Sequence, residues 1–120
     1  TPVPMTLRIG LCELLLSEWL ALHAVTQAVL ITAHNPRSQR LGEADNAHRQ
    51  QLLENWLAQH GWVWSPTVGR DPVGEWPDEP GCLVLGMNAK QGASLGRQWQ
   101  QNAIVCCGSD GIPQLQLIDY

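Results

Sequence analysis

Residues Ala28 to Ala33 read Ala-Val-Leu-Ile-Thr-Ala, a nearly continuous apolar run rich in β-branched side chains. The run is short for a helix and unbroken for a half-exposed strand, so it reads as a buried central strand. Pro36 forces Asn35 out of helical geometry, and His34-Asn35-Pro36-Arg37-Ser38-Gln39-Arg40 becomes the turn that leaves the strand. A long helix follows, from about Glu43 to His60. Glu43 and Asp45 lie in its first turn, Leu53, Trp56 and Leu57 make its apolar stripe, and Gly61 stops it.

The other segments extend this pattern on both sides. Met5 to Ile9 fits a short edge strand, and from Leu11 onward Leu11, Leu14, Leu15, Trp19 and Leu22 share one helical face. Trp62 to Val68 alternates as a half-exposed strand broken by Pro66, Gly69 to Gly81 is a loop, and Cys82 to Met87 is a buried strand. Asn88 caps a helix from Ala89 to about Trp99, in which Gly92, Ala93 and Gly96 allow close approach to a sheet. Ala103 to Cys107 and Leu115 to Ile118 are strands joined through Ser109-Asp110-Gly111. The expected fold is α+β (α/β-type), a single domain over 1–120. Its mixed, largely antiparallel sheet of about five to six strands packs with three helices.

A chain of 120 residues suits one domain. Seven basic residues against eleven acidic ones disfavour a broad nucleic-acid surface. Glu13, Glu18 and His23 interrupt the most hydrophobic stretch, which excludes a membrane span there. Thr1 to Arg8 has no charged region followed by an apolar one, so no signal peptide is expected, and the absence of Met at position 1 suggests a trimmed or truncated start. Cys12, Cys82, Cys106 and Cys107 form no Cys-x-x-Cys pair and read as structural thiols of a reducing compartment, the cytoplasm. His23, His34, His48 and His60 make no metal pattern. No phosphate-binding loop or dinucleotide motif appears either, so neither metal nor cofactor is expected. Gly92 and Gly96 sit inside a helix, so there is no Gly-x-Ser-x-Gly nucleophile elbow at a strand-to-helix turn.

Three segments together resemble a bacterial family catalogued as domain of unknown function 3293. They are Ile31-Thr32-Ala33-His34-Asn35-Pro36-Arg37-Ser38 with Asn46, then Gly69-Arg70-Asp71-Pro72 with Trp76 and Glu79, then Gln101-Asn102-Ala103-Ile104-Val105. The resemblance runs from about Val29 to the C-terminus. Pro80 stands where it leads one to expect a small polar residue. It implies a small cytoplasmic protein and no particular activity.

The candidate site is the segment Thr32 to Arg40. At the end of a buried strand its side chains open into the crevice where α/β sheets often hold ligands. The next helix turns its unpaired N–H groups the same way. Arg37 and Arg40 carry forked donors suited to phosphate or carboxylate. The functional reading is a pocket for an anionic small molecule, with Thr32, Asn35, Arg37 and Asn46 on one side and Arg70, Glu79, Gln101 and Asn102 on the other. The plainer reading is a turn held by Asn35 and Ser38, with the arginines paired to Glu43 or Asp45. For Gly69 to Glu79 the plainer reading is a solvated acidic loop pinned by Trp76 and an Arg70 ion pair. For Gln101 and Asn102 it is a structural amide clamp. An enzyme is the second function class, with Glu79 or His34 as general base. A third is a protein–protein adaptor, or oligomer, using exposed Trp62, Trp64 and Trp76.

Overall fold

The computed structural model describes residues 5–75 and 77–120. Five strands, β1 (Gln27–Ile31), β2 (Trp64–Gly69), β3 (Glu79–Leu85), β4 (Ala103–Gly108) and β5 (Gln114–Leu117), form one sheet in the order β2-β3-β1-β4-β5. Every neighbouring pair is antiparallel. Three helices, α1 (Leu14–Leu22), α2 (Glu43–Gln59) and α3 (Ala89–Gln98), complete the α+β domain.

β1 is central, and both of its faces are covered. Val29 and Ile31 join Val84 and Ile104 in a core with Leu53 and Leu57 of α2 and Ala93 and Leu95 of α3. Ala28 and Leu30 point the other way, into a smaller cluster with Leu83, Leu85, Cys107 and Leu16 and Leu20 of α1. Two apolar faces on one strand require an unbroken apolar run, which is what Ala28 to Ile31 supplies. α3 begins with a full capping box, in which the Asn88 side chain accepts from the Gln91 N–H and the Gln91 side chain accepts from the Asn88 N–H. α2 ends at His60, with Gly61 following at a φ of +75°.

Three expectations change. Met5 to Ile9 is not a strand; Met5 and Leu7 instead lie partly buried against the α1 cluster. β3 begins at Glu79 rather than Cys82, which shortens the preceding loop and puts Pro80 inside a strand. Pro80 is tolerated because β1 pairs no further than Ile31 with Cys82, so at Pro80 only β2 lies alongside. Finally, α1 buries Leu16 and Leu20, not the expected stripe: Leu14 and Leu22 are 70% and 82% exposed, and Leu11 precedes the helix. The rotation follows from anchors to the β4–β5 turn. The Glu13 N–H donates to Gly111 O at 2.8 Å, and Ser17 Oγ donates to Ser109 O at 2.7 Å.

α1 closes with a Schellman arrangement, the N–H of Ala24 bonding Ala21 O and that of Val25 bonding Leu20 O, each at 3.0 Å. Ala24 carries the left-handed φ of +57° that this cap demands. Glycine adopts that conformation without the Cβ penalty, against a larger entropy loss on folding. Ala24→Gly is therefore expected to stabilise the domain by about 0.5–1 kcal/mol and to raise Tm by roughly 2–5 °C in a thermal melt.

Candidate functional site

Where β1 ends, the chain makes a tight turn with an unusual backbone. Asn35, Arg37 and Ser38 have φ of +49°, +52° and +60°, and Gln100, whose carbonyl accepts the Arg37 N–H at 2.6 Å, has +59°. Among the described residues only Ala24 is another non-glycine at positive φ. Asparagine tolerates this conformation comparatively well, whereas Arg37, Ser38 and Gln100 are each strained by about 1 kcal/mol or more and must be held there by the surrounding structure. Two overlapping tight turns run through Pro36–Ser38, closed by the Ser38 N–H on Asn35 O at 2.9 Å and the Gln39 N–H on Pro36 O at 3.0 Å, with Arg37 in left-handed rather than helical torsions.

The turn is held by a buried amide pair. The Asn35 N–H donates to Asn46 Oδ1, and Asn46 Nδ2 donates back to Asn35 Oδ1, both at 2.9 Å. Asn35 Oδ1 also accepts the Leu41 N–H at 2.9 Å, and Asn35 Nδ2 donates to Glu79 Oε1 at 2.7 Å. The start of β3 is thus tied to the turn through one side chain. Thr32 Oγ1 donates to Pro80 O at 2.7 Å and accepts the His34 N–H at 3.1 Å, reinforcing the same junction. From the other side, Gln101 Nε2 donates to the His34 and Trp99 carbonyls at 3.2 Å, and Asn102 Nδ2 donates to Ser38 Oγ at 2.8 Å.

These contacts enclose a cleft of about 220 Å³ lined by His34, Asn35, Ser38, Glu79, Gln101, Asn102 and Ala103. Of the eight residues expected at a ligand, Asn35, Glu79, Gln101 and Asn102 line it, together with His34. Thr32 and Asn46 stand behind it as supports. Arg37 and Arg70 are not among its described lining residues. The Arg37 guanidinium lies over the Tyr120 ring, 4.4 Å from its centroid, rather than beside Glu43 or Asp45. Arg70 pairs with Asp78 at 3.6 Å on an exposed loop. Trp76 lies outside the described residues, while Trp62 and Trp64, expected to be exposed, are half-buried against the main core.

His34 Nε2 is a buried polar atom with no hydrogen-bond partner. Burial pushes the imidazole below its usual pKa, opposed by the nearby Glu79 charge. The unfolded chain therefore binds a proton more readily than the folded one. Stability contributed by the neutral ring is present above about pH 6.5 and declines as pH falls below that value toward the lower folded pKa. An NMR titration is expected to place the His34 midpoint below that of a free imidazole, and Glu79→Gln should lower it further.

Two residues that hold this site carry no motif. Arg49 reaches from α2 to donate to Ala33 O at 2.7 Å and to Trp99 O at 2.6 Å, and Gln50 Oε1 accepts the Ala33 N–H at 3.1 Å. For Gln50 the signal was present in the helical spacing. Asn46 and Gln50 continue the Leu53–Leu57 stripe toward the N-terminus, so α2 presents buried amides on its core face.

A second, larger hollow of about 510 Å³ opens at the other end of β4, lined in part by Gln27, Met87, Cys106, Cys107 and Asp110. Burial, helped by Cys106 and Asp110, pushes the Cys107 thiol up to about 11, and burial with the Glu54 charge pushes Cys82 up to about 12. These thiols stay protonated and unreactive near neutral pH. Ser94, with Gly92 and Gly96, completes the letters Gly-x-Ser-x-Gly, but it sits on the exposed side of α3 in mid-helix. No strained strand-to-helix turn presents it. Among the described residues no group of three or more metal-ligating side chains comes together, and no helix is long and apolar enough to cross a membrane.

The family model described as Protein of unknown function (DUF3293) matches residues 31–104, well over half of the chain. The chain belongs to this family. No curated protein and no solved structure matches it. The DUF3293 match contains every lining residue of the smaller cleft and leaves out α1 and β5. The DUF3293 segment thus carries the whole lining of this cleft.

Proposed function

We propose that this domain binds a small polar molecule in the cleft between the Asn35 turn and the start of β4, and that the ligand presents hydrogen-bond donors to Glu79. One observation carries the reading. The Glu79 carboxylate is held at the cleft by Asn35, and no cationic side chain stands among the described lining residues. An anion held by Arg37 and Arg70 would need guanidinium groups that are engaged elsewhere. The cleft's polarity instead suits an amine, amidine, guanidinium or hydroxyl-rich compound, for which a carboxylate is the strong acceptor.

A ligand present at about a hundred times its Kd stabilises the fold by roughly 2.7 kcal/mol. Small guanidinium and amidinium compounds such as agmatine and benzamidine are expected to raise Tm by several degrees, where inorganic phosphate and dicarboxylates do not. Glu79→Gln should abolish the shift. A Tm rise confined to the anions and indifferent to Glu79→Gln would reverse the assignment of polarity.

Proton transfer on the bound molecule is a second reading, favoured by His34. Its unpartnered Nε2 belongs to a ring that burial keeps neutral, beside the same carboxylate. An enzyme of this kind would show turnover lost in His34→Gln with binding retained.

A further inference from the structure

We infer that two copies of this chain pair edge to edge through β5, in antiparallel register centred on Gln116. β5 is the last strand of the sheet, bonded to β4 along one edge alone. The Ile118 N–H donates to Asn102 O. In an antiparallel ladder hydrogen-bonded pairs alternate with non-bonded ones, so Gln116 opposite Ile104 and Gln114 opposite Cys106 are also inward-bonded pairs. The N–H and C=O groups of Leu115 and Leu117 therefore point away from β4.

The same alternation turns the Pro113 carbonyl outward, where it accepts the Gly10 N–H at 2.8 Å. The N-terminal segment thus covers the edge as far as Pro113 and leaves Leu115 and Leu117 open among the described residues. A two-fold axis through Gln116 sets Leu115 of each copy opposite Leu117 of the other. That register satisfies all four open backbone groups of each strand. Centring on Leu115 instead sets Leu117 opposite Pro113, which has no N–H and whose carbonyl is already occupied.

The side chains agree with this register. Leu115 lies opposite Val105 and so projects on the face that α1 covers, as does Leu117. They are 54% and 72% exposed, and the pairing brings each against a leucine of the second copy. Ile112 to Ile118 has no charged residue, so the strand itself does not repel its copy although the chain carries a net charge of −4. The opposite edge, β2, carries Pro66, a common device against such pairing; β5 has no proline, lysine or other charge to protect it. The contact is small beside a standard interface, so association in the micromolar range is expected.

Sedimentation velocity from about 1 to 500 µM, the range that micromolar association requires, tests this on the whole chain. The wild type is expected to pass from one chain's mass to two. Leu117→Lys, at an exposed position, should raise Kd at least tenfold with an unchanged melting profile. In a Cys12→Ser, Cys106→Ser background, mild oxidation should cross-link Gln116→Cys, whose Cα atoms would lie about 4.5 Å apart across the axis. It should leave Gln114→Cys uncross-linked. A wild type that remains a monomer throughout, association untouched by Leu117→Lys, or equal cross-linking at both cysteine positions would each overturn the inference.

Discussion

Replacing Asn35 with alanine is expected to remove about 3–5 kcal/mol of folding stability, although the residue belongs to no secondary-structure core. Its side chain bonds Asn46, Leu41 and Glu79, and both Asn35 and Asn46 are buried. Alanine leaves the Leu41 N–H without a partner and takes from Asn46 Nδ2 its shorter bond, so that this group keeps only Leu41 O at 3.3 Å. Each buried group so abandoned costs about 1–3 kcal/mol, whereas the bonds themselves contribute less. Alanine also suffers at a φ of +49°, where asparagine is among the better-tolerated side chains. Urea denaturation measures the loss. A change below about 1 kcal/mol would mean the amide pair is not what holds the turn.

The isosteric variant Asn35→Asp separates shape from charge. Its carboxylate would replace the donor that now lies 2.7 Å from Glu79 Oε1. Two carboxylates at that distance cannot both ionise cheaply. The variant should be strongly destabilised at neutral pH, and its deficit should shrink in mild acid as the pair takes up a proton. A deficit independent of pH would show that the lost donor, and not repulsion, dominates.

The second large effect concerns Gly92. A Cβ there would lie 2.8 and 2.9 Å from the Val29 methyls and 2.9 Å from Ile104 Cδ1. All three atoms belong to side chains fixed in the buried core. In an isolated helix glycine to alanine gains about 1 kcal/mol. Overpacking of a dense core costs about 1–3 kcal/mol. Gly92→Ala is therefore expected to destabilise by up to about 2 kcal/mol, and Gly92→Val by about 3 kcal/mol or more, since valine adds bulk and gains less from helix propensity. Gly96 offers the comparison: its nearest contacts are 3.0 Å to Ile118 Cδ1 and 3.3 Å to Ile104 Cγ2. The end of a flexible side chain can yield, so Gly96→Ala should come close to neutral. Equal losses at the two positions would show that α3 does not pack hardest at Gly92.

Much of the architecture was legible along the chain because its signals act between near neighbours. A β-branched run, an Asn88 cap three residues before Gln91, acidic residues at the start of α2 and Gly61 at its end each constrain a few adjacent dihedrals. The site was partly legible for the same reason. Asn35 before proline had to leave helical geometry, and an amide there needed partners; Glu79, Gln101 and Asn102 were polar residues near strand ends, and Asn46 lay in the first turns of α2. What no local pattern ranked was which of the charged residues would turn inward. Arg37 and Arg70 have long stems and high exposure, so their destinations depend on an aromatic ring or a carboxylate that other parts of the chain bring near.

α1 makes the same distinction within one helix. Its leucines surround the axis, so periodicity admits more than one buried face. Leu16 and Leu20 turn inward because Glu13 and Ser17 are bound to the β4–β5 turn far along the chain. Element type and position thus came from neighbouring residues, which dictate backbone torsions directly. Helix rotation, the true length of β3 and the charge of the cleft came from folding, because each depends on groups that share no local segment and meet only when the sheet has assembled.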